Sequence, residues 1–574
     1  MSRDPVNRVP VNRDSMSSVS TSGRARSGIP AAALVAAVAM AGALATFYLS
    51  GTAAGSPYSW RALPLDDAWI HQVYGRSVAT GHPFQYNPGE WEVGATSPLW
   101  AILLAPGHWM GSPVAYAKLL GVLLVIVAAI AGARIVGRLA GPGPAVVFAA
   151  LLPAIPYVAF ADVSGMEVSL FLAVSLLVLL AVSDGGWKTA TALAGLVTLV
   201  RPEGWIALPL VLLAFGISVR TAARPSAERV REGVLLASLG IGVALPWVIY
   251  CLVVGGHLLP ATVSAKSHWS GPDLGTQLKL LGSFLGAQPF LGGAQTWTRV
   301  TGGVVGVGLI LLGIQELWRG IPSSDRTTGA GSPGLLIVLV GWPLLHLAGM
   351  AAAVPLGADL PADRPGSLRN LYFARYLLPA IAPLFLLWCS GLGAIARRVP
   401  ALVRDTTRAR VVAFGSSGLA VTLFLLSAWP QQQWLRSVYS WNCRNIEEQQ
   451  VAAAEWVATH VPAGASVFVS DAGAIRYFGE HRVVDLVGLN THRLLPLVQA
   501  AERAPRESPE QQRWQARFWE QEQPRYFAVT RGWHGPLLAG RMMSLLQSIQ
   551  IDHNTICAGS ELVILQATGP RSGD

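Results

Sequence analysis

The chain has 574 residues, of which 52% are hydrophobic and only 13% are Asp, Glu, Lys or Arg, and its mean hydropathy is +0.44. Ordinary globular proteins carry about 25% charged residues, so a soluble chain of this length could not cover its surface, and most of it must face lipid. The net charge of +10 would suit nucleic acid, but the basic residues are distributed by topology, and four cysteines exclude a disulfide-dense scaffold or a cysteine-rich zinc cluster.

Residues 1–28 are polar and Arg-bearing and read as a disordered cytoplasmic tail. Ile29–Leu49 is then an apolar run long enough to span a bilayer. Its long Arg-containing lead and the runs that follow argue against a cleaved signal peptide. Further apolar runs cover Val114–Val136, Ala145–Phe160, Val168–Val182, Ala190–Val200, Trp205–Ile217, Val234–Val254, Val304–Leu317, Leu335–Val354, Tyr372–Leu392 and Val411–Trp429. The expectation is a polytopic α-helical protein with about eleven spans, several short or interrupted by Gly or Pro. With the N-terminus inside, the short inner loops hold Arg134, Arg138, Arg229, Arg231, Arg319, Arg397 and Arg398. Dense basic residues in short loops mark the cytoplasmic side. An odd number of spans leaves the C-terminal segment outside.

The first outer loop, residues 50–113, opens with Leu65-Asp66-Asp67-Ala68-Trp69-Ile70-His71. Adjacent carboxylates repel, so one can hold a raised pKa and act as general base, or both can face a cation. The competing reading is a helix start, where Asp is favourable. A short helix over Asp66–Ala79, stopped by Gly81, would put Asp67, His71 and Tyr74 on one face. This makes His71 and Tyr74 candidates for substrate contact, against a plain packing role. Asn87-Pro88-Gly89 reads as a turn. SPLWAILLAPGHWMG reads as a short interfacial helix.

Charged groups then recur where lipid should exclude them: Glu167, Arg201, Glu203, Lys266 and Arg375. Each costs about 2.5–3.5 kcal/mol at membrane depth on insertion scales. Singly, each could be a structural ion pair. Together the topology puts them all on the outer side, which points to a water-filled outer cavity lined by carboxylates and cations. No nucleotide donor is available there, so a transferable group must arrive on a lipid, and a polyprenyl-phosphate sugar suits such a cavity.

Residues 431–574 have soluble character and read as a small extracytoplasmic α/β domain after a transmembrane domain of residues 29–430. IEEQQVAAAEWVATHV is an amphipathic helix with Ile446, Val451, Ala454 and Val457 near one face. SVFVS, RVVDLV, RYFAVT and ELVILQ are short buried strands. Cys443 and Cys557 lie near its two ends. Outside the cell they could close the domain as a disulfide, the alternative being two buried thiols.

The ordered motifs resemble bacterial GT-C-fold membrane glycosyltransferases that use polyprenyl-phosphate sugars, and most of all the mycobacterial terminal arabinofuranosyltransferase group. The motifs are LDDAWI at Leu65–Ile70, Tyr74-Gly75-Arg76, Gly81-His82-Pro83-Phe84, Asn87-Pro88-Gly89-Glu90 and Gly94-Ala95-Thr96-Ser97-Pro98-Leu99-Trp100. SGMEVSLF from Ser164, LVRPEG from Leu199, PATVSAK ending at Lys266 and RYLLP from Arg375 continue the series. AEWV, SDAGAIRYF and VVDLVGL follow in the soluble part. The resemblance implies Asp66 as the base, with Asp67 as its partner or as a ligand to a divalent cation. It implies that Glu167 and Glu203 orient acceptor or sugar, and that Arg201, Lys266, Arg76 and Arg375 bind the donor phosphate. It implies transfer of one sugar, such as arabinose or a hexose, to an envelope glycan, lipid or protein at the outer face of a bacterial plasma membrane. Three departures bear on the substrate: Ala95 lacks the usual aromatic, Ala261 stands where an Asn is common, and Val73 where a basic residue is common. A flippase for lipid-linked glycans and a noncatalytic envelope subunit are the alternative readings. The charges favour the enzyme, since a transporter expects repeats and charge near the midplane.

Overall fold

The computed structural model describes residues 31–220, 225–266, 274–291, 296–320, 333–353, 366–402, 406–532, 538 and 541–570. The expected N-terminal tail lies outside them. Helix α1 spans Ala31–Leu49 and is followed by the first loop, which holds α2 (Asp66–Ala79), strands β1 (Gln85–Asn87) and β2 (Glu90–Trp91), and α3 (Pro98–Trp109). The expected helix and the Asn87-Pro88-Gly89 turn are both present, with Gly89 at φ +83 between the two strands.

The bundle continues with α4 (Pro113–Ala140), α5 (Pro142–Leu151), α6 (Pro156–Asp162), α7 (Val168–Ser183), α8 (Trp187–Thr198), α9 (Ala207–Arg220) and α10 (Ser226–Gly255). Then come α11 (Ala261–Lys266), α12 (Leu274–Gly286), α13 (Thr296–Gly320), α14 (Pro333–Ala353), α15 (Gly366–Leu402) and α16 (Thr406–Asn445). Six stretches among the described residues are long and apolar enough to cross a membrane, seven if α5 and α6, bent by 60°, count as one broken span. The expected runs at Val168–Val182 and Ala190–Val200 fold as helices of 16 and 12 residues, short for a bilayer that needs about 20. α7 is buried along its length except at Leu177, so it is a core helix of the bundle. The runs at Val304–Leu317 and Val411–Trp429 lie inside α13 and α16.

Burial separates core helices from lipid-facing ones. The stretch Arg375–Arg398 of α15 is 89% buried, against 17% for the apolar part of α10. On α10 the buried residues are Leu236, Gly240, Ala244 and Cys251, while Leu239, Ile241, Leu245, Ile249 and Val253 are exposed. Small residues at four-residue steps let helices approach, and large apolar ones outward are stable only in lipid. α1 repeats the device with Ala33, Ala37 and Ala41.

α16 runs without a break through one π-helical turn, Ile446–Val451, into α17 (Ala452–His460). The four expected inward positions, Ile446, Val451, Ala454 and Val457, are all buried. After α17 the chain forms β3 (Ser466–Val469), α18 (Ala474–Phe478), β4 (Arg482–Asp485), α19 (Leu495–Arg503), α20 (Pro509–Glu522), β5 (Tyr526–Thr530), β6 (Arg541–Gln550) and β7 (Glu561–Pro570). The sheet order is β4-β3-β5-β7-β6, with β3 parallel to β4 and β5, and β7 antiparallel to β5 and β6. The four expected strands are β3, β4, β5 and β7. β6 went unpredicted because Met, Leu and Gln favour helix, and pairing with β7 overrides that preference. One sheet face, with Val467, Val483 and Ile564, packs with Val73, Tyr74 and Tyr86 of the first loop. The other, with Phe468, Val484 and Phe527, packs on α19 and α20 through Leu497, Val498 and Phe518.

The disulfide expectation is corrected. Cys443 and Cys557 are both buried thiols. The Cys443 sulfur is turned to the Ala62 carbonyl oxygen at 3.5 Å, so it serves the contact between α16 and the first loop.

Candidate active site

Asp66 and Asp67 open α2, but successive helical residues are about 100° apart, so their carboxylates diverge. Asp66 is turned to the sheet domain, where its two oxygens accept hydrogen bonds from the backbone N–H of Gly473 and of Ala474, both at 2.7 Å. A Cβ on Gly473 would stand 2.1 Å from the Asp66 carbonyl oxygen, so this approach requires glycine. Burial pushes the Asp66 carboxyl upward and Asp471 adds to the effect, while the two amides pull it down. Asp67 is turned to the bundle, where Arg375 of α15 donates to its Oδ2 at 2.6 Å.

Asp67 lines a cavity of about 280 Å³, together with His71, Glu167, Arg201, Glu203 and Arg375. The charged side chains form a connected chain. His71 Nε2 lies 3.0 Å from Glu167 Oε2. Arg201 Nη1 donates to Glu167 Oε1 at 2.8 Å. Arg201 also clasps Glu203 with Nη2 at 3.0 Å and Nε at 3.2 Å, a fork geometry that arginine alone can offer. Arg201 and Arg375 lie over the Tyr376 ring, 5.0 and 4.9 Å from its centre, and Arg375 Nη2 donates to the Tyr376 hydroxyl at 3.1 Å. His346 Nε2 donates to the Tyr376 carbonyl at 2.7 Å and fixes that turn of α15.

The sheet domain completes the wall with Leu489 and Asn490. Asp485, at the end of β4, accepts from the Asn490 N–H at 2.9 Å and from its side-chain amide at 3.1 Å. Tyr74 donates to Asn490 Oδ1 at 3.0 Å, so the amide is held at both ends. Burial pushes the Asp485 carboxyl up to about 6, against the hydrogen bonds from Asn490 and Val487.

The structure thus gathers Asp67, His71, Glu167, Arg201, Glu203 and Arg375 and leaves three expected residues outside. Asp66 serves the domain contact. Tyr74 stands behind Asn490. Arg76 is turned away, donating to the Tyr477 carbonyl at 2.8 Å and lying 4.7 Å from that residue's ring centre. Lys266 ends α11, whose Thr262 and Val263 line the cavity, but its side chain lies outside the described residues. Asp66 and Asp67 do not converge on a common ion, and among the described residues no group of three or more His, Cys, Asp and Glu gathers as metal ligands. Asn490 escaped the sequence reading, although a polar side chain just past the buried VVDLVGL stretch is a usable signal.

The comparisons with known proteins bear on the fold. Residues 444–564 match a family model described as a domain of unknown function (DUF8728). No curated protein sequence matches the chain. ArnT from Cupriavidus metallidurans in the apo state superposes with a TM-score of 0.56 at 13% identity, covering 93% of this chain and 97% of that one. ArnT bound to undecaprenyl phosphate gives 0.52 at 14% identity over the same shares. The Archaeoglobus fulgidus oligosaccharyltransferase tethered with an acceptor peptide gives 0.52 at 10% identity, covering 87% of this chain and 69% of that one. At such identities the likeness is one of fold. The expected architecture stands: a GT-C-like, mostly helical membrane protein with a C-terminal α/β sheet domain.

Proposed function

We propose that the chain is a membrane glycosyltransferase that moves a single sugar from a polyprenyl phosphate to an envelope glycan, lipid or protein. The observation that carries this reading is the cavity between the helices and the sheet domain, where Asp67 meets Arg375 beside the Glu167–Arg201–Glu203 network. ArnT, whose fold it shares, has been solved with undecaprenyl phosphate bound.

The base is Asp67 rather than Asp66. Glu203 uses both oxygens on Arg201, and Glu167 divides its two between Arg201 and His71. Asp67 has a side-chain exposure of 31%, against 5% for Glu167, so it is the carboxylate an acceptor hydroxyl can reach. In the step, the acceptor oxygen attacks the anomeric carbon and its proton passes to Asp67. The bond from that carbon to the phosphate oxygen breaks, and the lipid phosphate leaves with the electron pair and one more negative charge. Arg375 meets that charge electrostatically. Among the described cavity residues three carboxylates face two guanidinium groups, so the phosphate also draws on Lys266, which follows Val263 on α11. Glu167, Glu203, His71 and Asn490 orient the sugar and acceptor. Arabinose and the hexoses are the donor sugars to test.

The orientation follows from the basic end of the bundle. Arg397 donates to the Leu139 carbonyl, and with Arg398 it pairs with Glu316, at the end of α4 opposite the first loop. Placing that end in the cytoplasm puts the cavity and the sheet domain outside a bacterial plasma membrane.

The test is transfer by purified membranes supplied with radiolabelled polyprenyl-phosphate arabinose, mannose, glucose and galactose, with native envelope as acceptor. Wild type incorporates label from one donor. Asp67→Asn lowers the rate by about 10²–10⁴, the usual weight of a general base. Asp66→Asn keeps more activity than Asp67→Asn. Equal loss in the two variants would remove the assignment of the base, and no incorporation from any donor would remove the donor class.

A further inference from the structure

Arg76 and Arg476, which stand outside the reaction cavity, face a second one. It has a volume of about 230 Å³ and is lined by Arg76, Ser77, His82, Gln85, Tyr86 and Arg476, among others. Val73, Arg76 and Ser77 of α2 and Thr80, which caps its C-terminal end, form one stripe at steps of three and four residues. Arg76 is nine positions from Asp67, half a turn around the helix, so the two cavities open on opposite sides of α2.

Charge distinguishes this cavity. In the reaction cavity both guanidinium groups are paired with carboxylates. Here neither guanidinium meets a carboxylate among the described residues. Arg76 donates to the carbonyls of Tyr477 and Arg476, at 2.8 and 3.5 Å. Arg476, only 8% exposed, donates to the carbonyls of Tyr86 and Gly479, at 2.9 and 3.3 Å. Glu90 is already held by Arg482 at 2.6 Å and Asn87 at 2.9 Å. Two like charges therefore line one pocket with no carboxylate in contact with either among the described residues, Glu90 acting on Arg476 only from a distance, a costly arrangement that a bound anion relieves. Gln85 Oε1 is taken by the Gly89 N–H, so that side chain presents its NH₂ group as a donor.

We propose that Arg76 and Arg476 form a second anion site that takes a phosphate group. Guanidinium suits the oxygens of phosphate, and a cavity of this volume admits the group with part of its carrier. The phosphate can belong to a lipid headgroup or to a soluble phosphorylated glycan. The site does not rest on the transferase reading: a protein that bound phosphate here and transferred no sugar would leave it standing.

The test uses the full-length protein in detergent, with inorganic phosphate titrated against chloride at constant ionic strength and thermal unfolding as the readout. A second arm uses nanodiscs of phosphatidylglycerol or of phosphatidylcholine. The unfolding midpoint of wild type rises with phosphate, as expected for a ligand that binds the folded state, and Arg476→Gln weakens the apparent affinity at least tenfold. Pro88→Glu, at an exposed turn on the rim, places a carboxylate at the pocket, leaves the arginine contacts intact and also abolishes the response. A response to phosphatidylglycerol discs alone, lost in both variants, assigns the phosphate to a lipid headgroup. Equal responses in wild type and Pro88→Glu, or none to either probe, would overturn the proposal.

Discussion

Neighbouring residues of one type take separate roles here because a helix turns them apart. Asp66 and Asp67 are chemically identical, yet one binds main-chain amides of the sheet domain and the other meets Arg375 in the cavity. A similar economy governs Gly94, which lines the cavity where Asn490 enters it. A Cβ there would stand 2.4 Å from Asn490 Oδ1, 2.5 Å from the Leu489 carbonyl and 2.6 Å from the Tyr74 hydroxyl. Overpacking of this kind costs about 1–3 kcal/mol. Gly94→Ala is therefore expected to lower the melting temperature and, by moving Asn490, to raise KM for the donor or acceptor. Gly42→Ala, where a Cβ meets nothing within 4 Å, should leave both unchanged. Measuring the two variants together separates a local effect from a general one.

At the scale of elements, the first loop is the surface on which the sheet domain docks. The Tyr86 hydroxyl donates to the Ala472 carbonyl at 2.5 Å, and the Asn87 side chain pairs with the main chain of Val483 in β4. Beyond the hairpin, Glu92 accepts from the His492 N–H at 3.0 Å and pairs with its ring Nδ1 at 2.7 Å. The hydrogen bond to Glu92 raises the His492 pKa above its ordinary 6.5, against a smaller effect of burial. A histidine raised on folding stabilises fully below its unfolded pKa and loses that contribution as pH rises through the folded value. Protection of the sheet domain from protease should thus be greatest near pH 6 and fall as pH rises above 6.5. His492→Gln should flatten the profile, and an unchanged profile would place the pH response elsewhere. α2 was legible to the residue, because its apolar spacing, acidic first turn and stopping Gly81 are all local. β6 was not, because its strand state depends on the partner β7.

At the scale of the whole molecule, the cavity lined by Asp67 and Arg375 belongs to neither domain alone. Its charges come from the ends of several helices, and Leu489 and Asn490 come from the sheet domain. A chain ending after α16 should keep its membrane helices yet lose transfer, because it lacks that wall and the amides that hold Asp66. Its first loop should also become sensitive to protease. Full activity in such a truncation would show that the sheet domain only decorates the bundle. The continuous helix from α16 through the π turn into α17 ties the two parts.

Composition and periodicity alone determined that this chain belongs in a membrane, that charges Glu167, Arg201, Glu203 and Arg375 are too costly there to be incidental, and where α2 and four strands lie. These are local properties, set by residues a few positions apart. The tertiary structure decided which Asp enters the cavity, that Arg76 faces another pocket, that Cys443 is turned to the Ala62 carbonyl, and that Asn490 completes the wall. Each of those outcomes depends on which way a side chain points, and that direction is set by partners hundreds of residues away: Asp66 by Gly473, Asp67 by Arg375, Tyr74 by Asn490. Spacing along a helix tells which residues share a face, but only packing tells what that face meets.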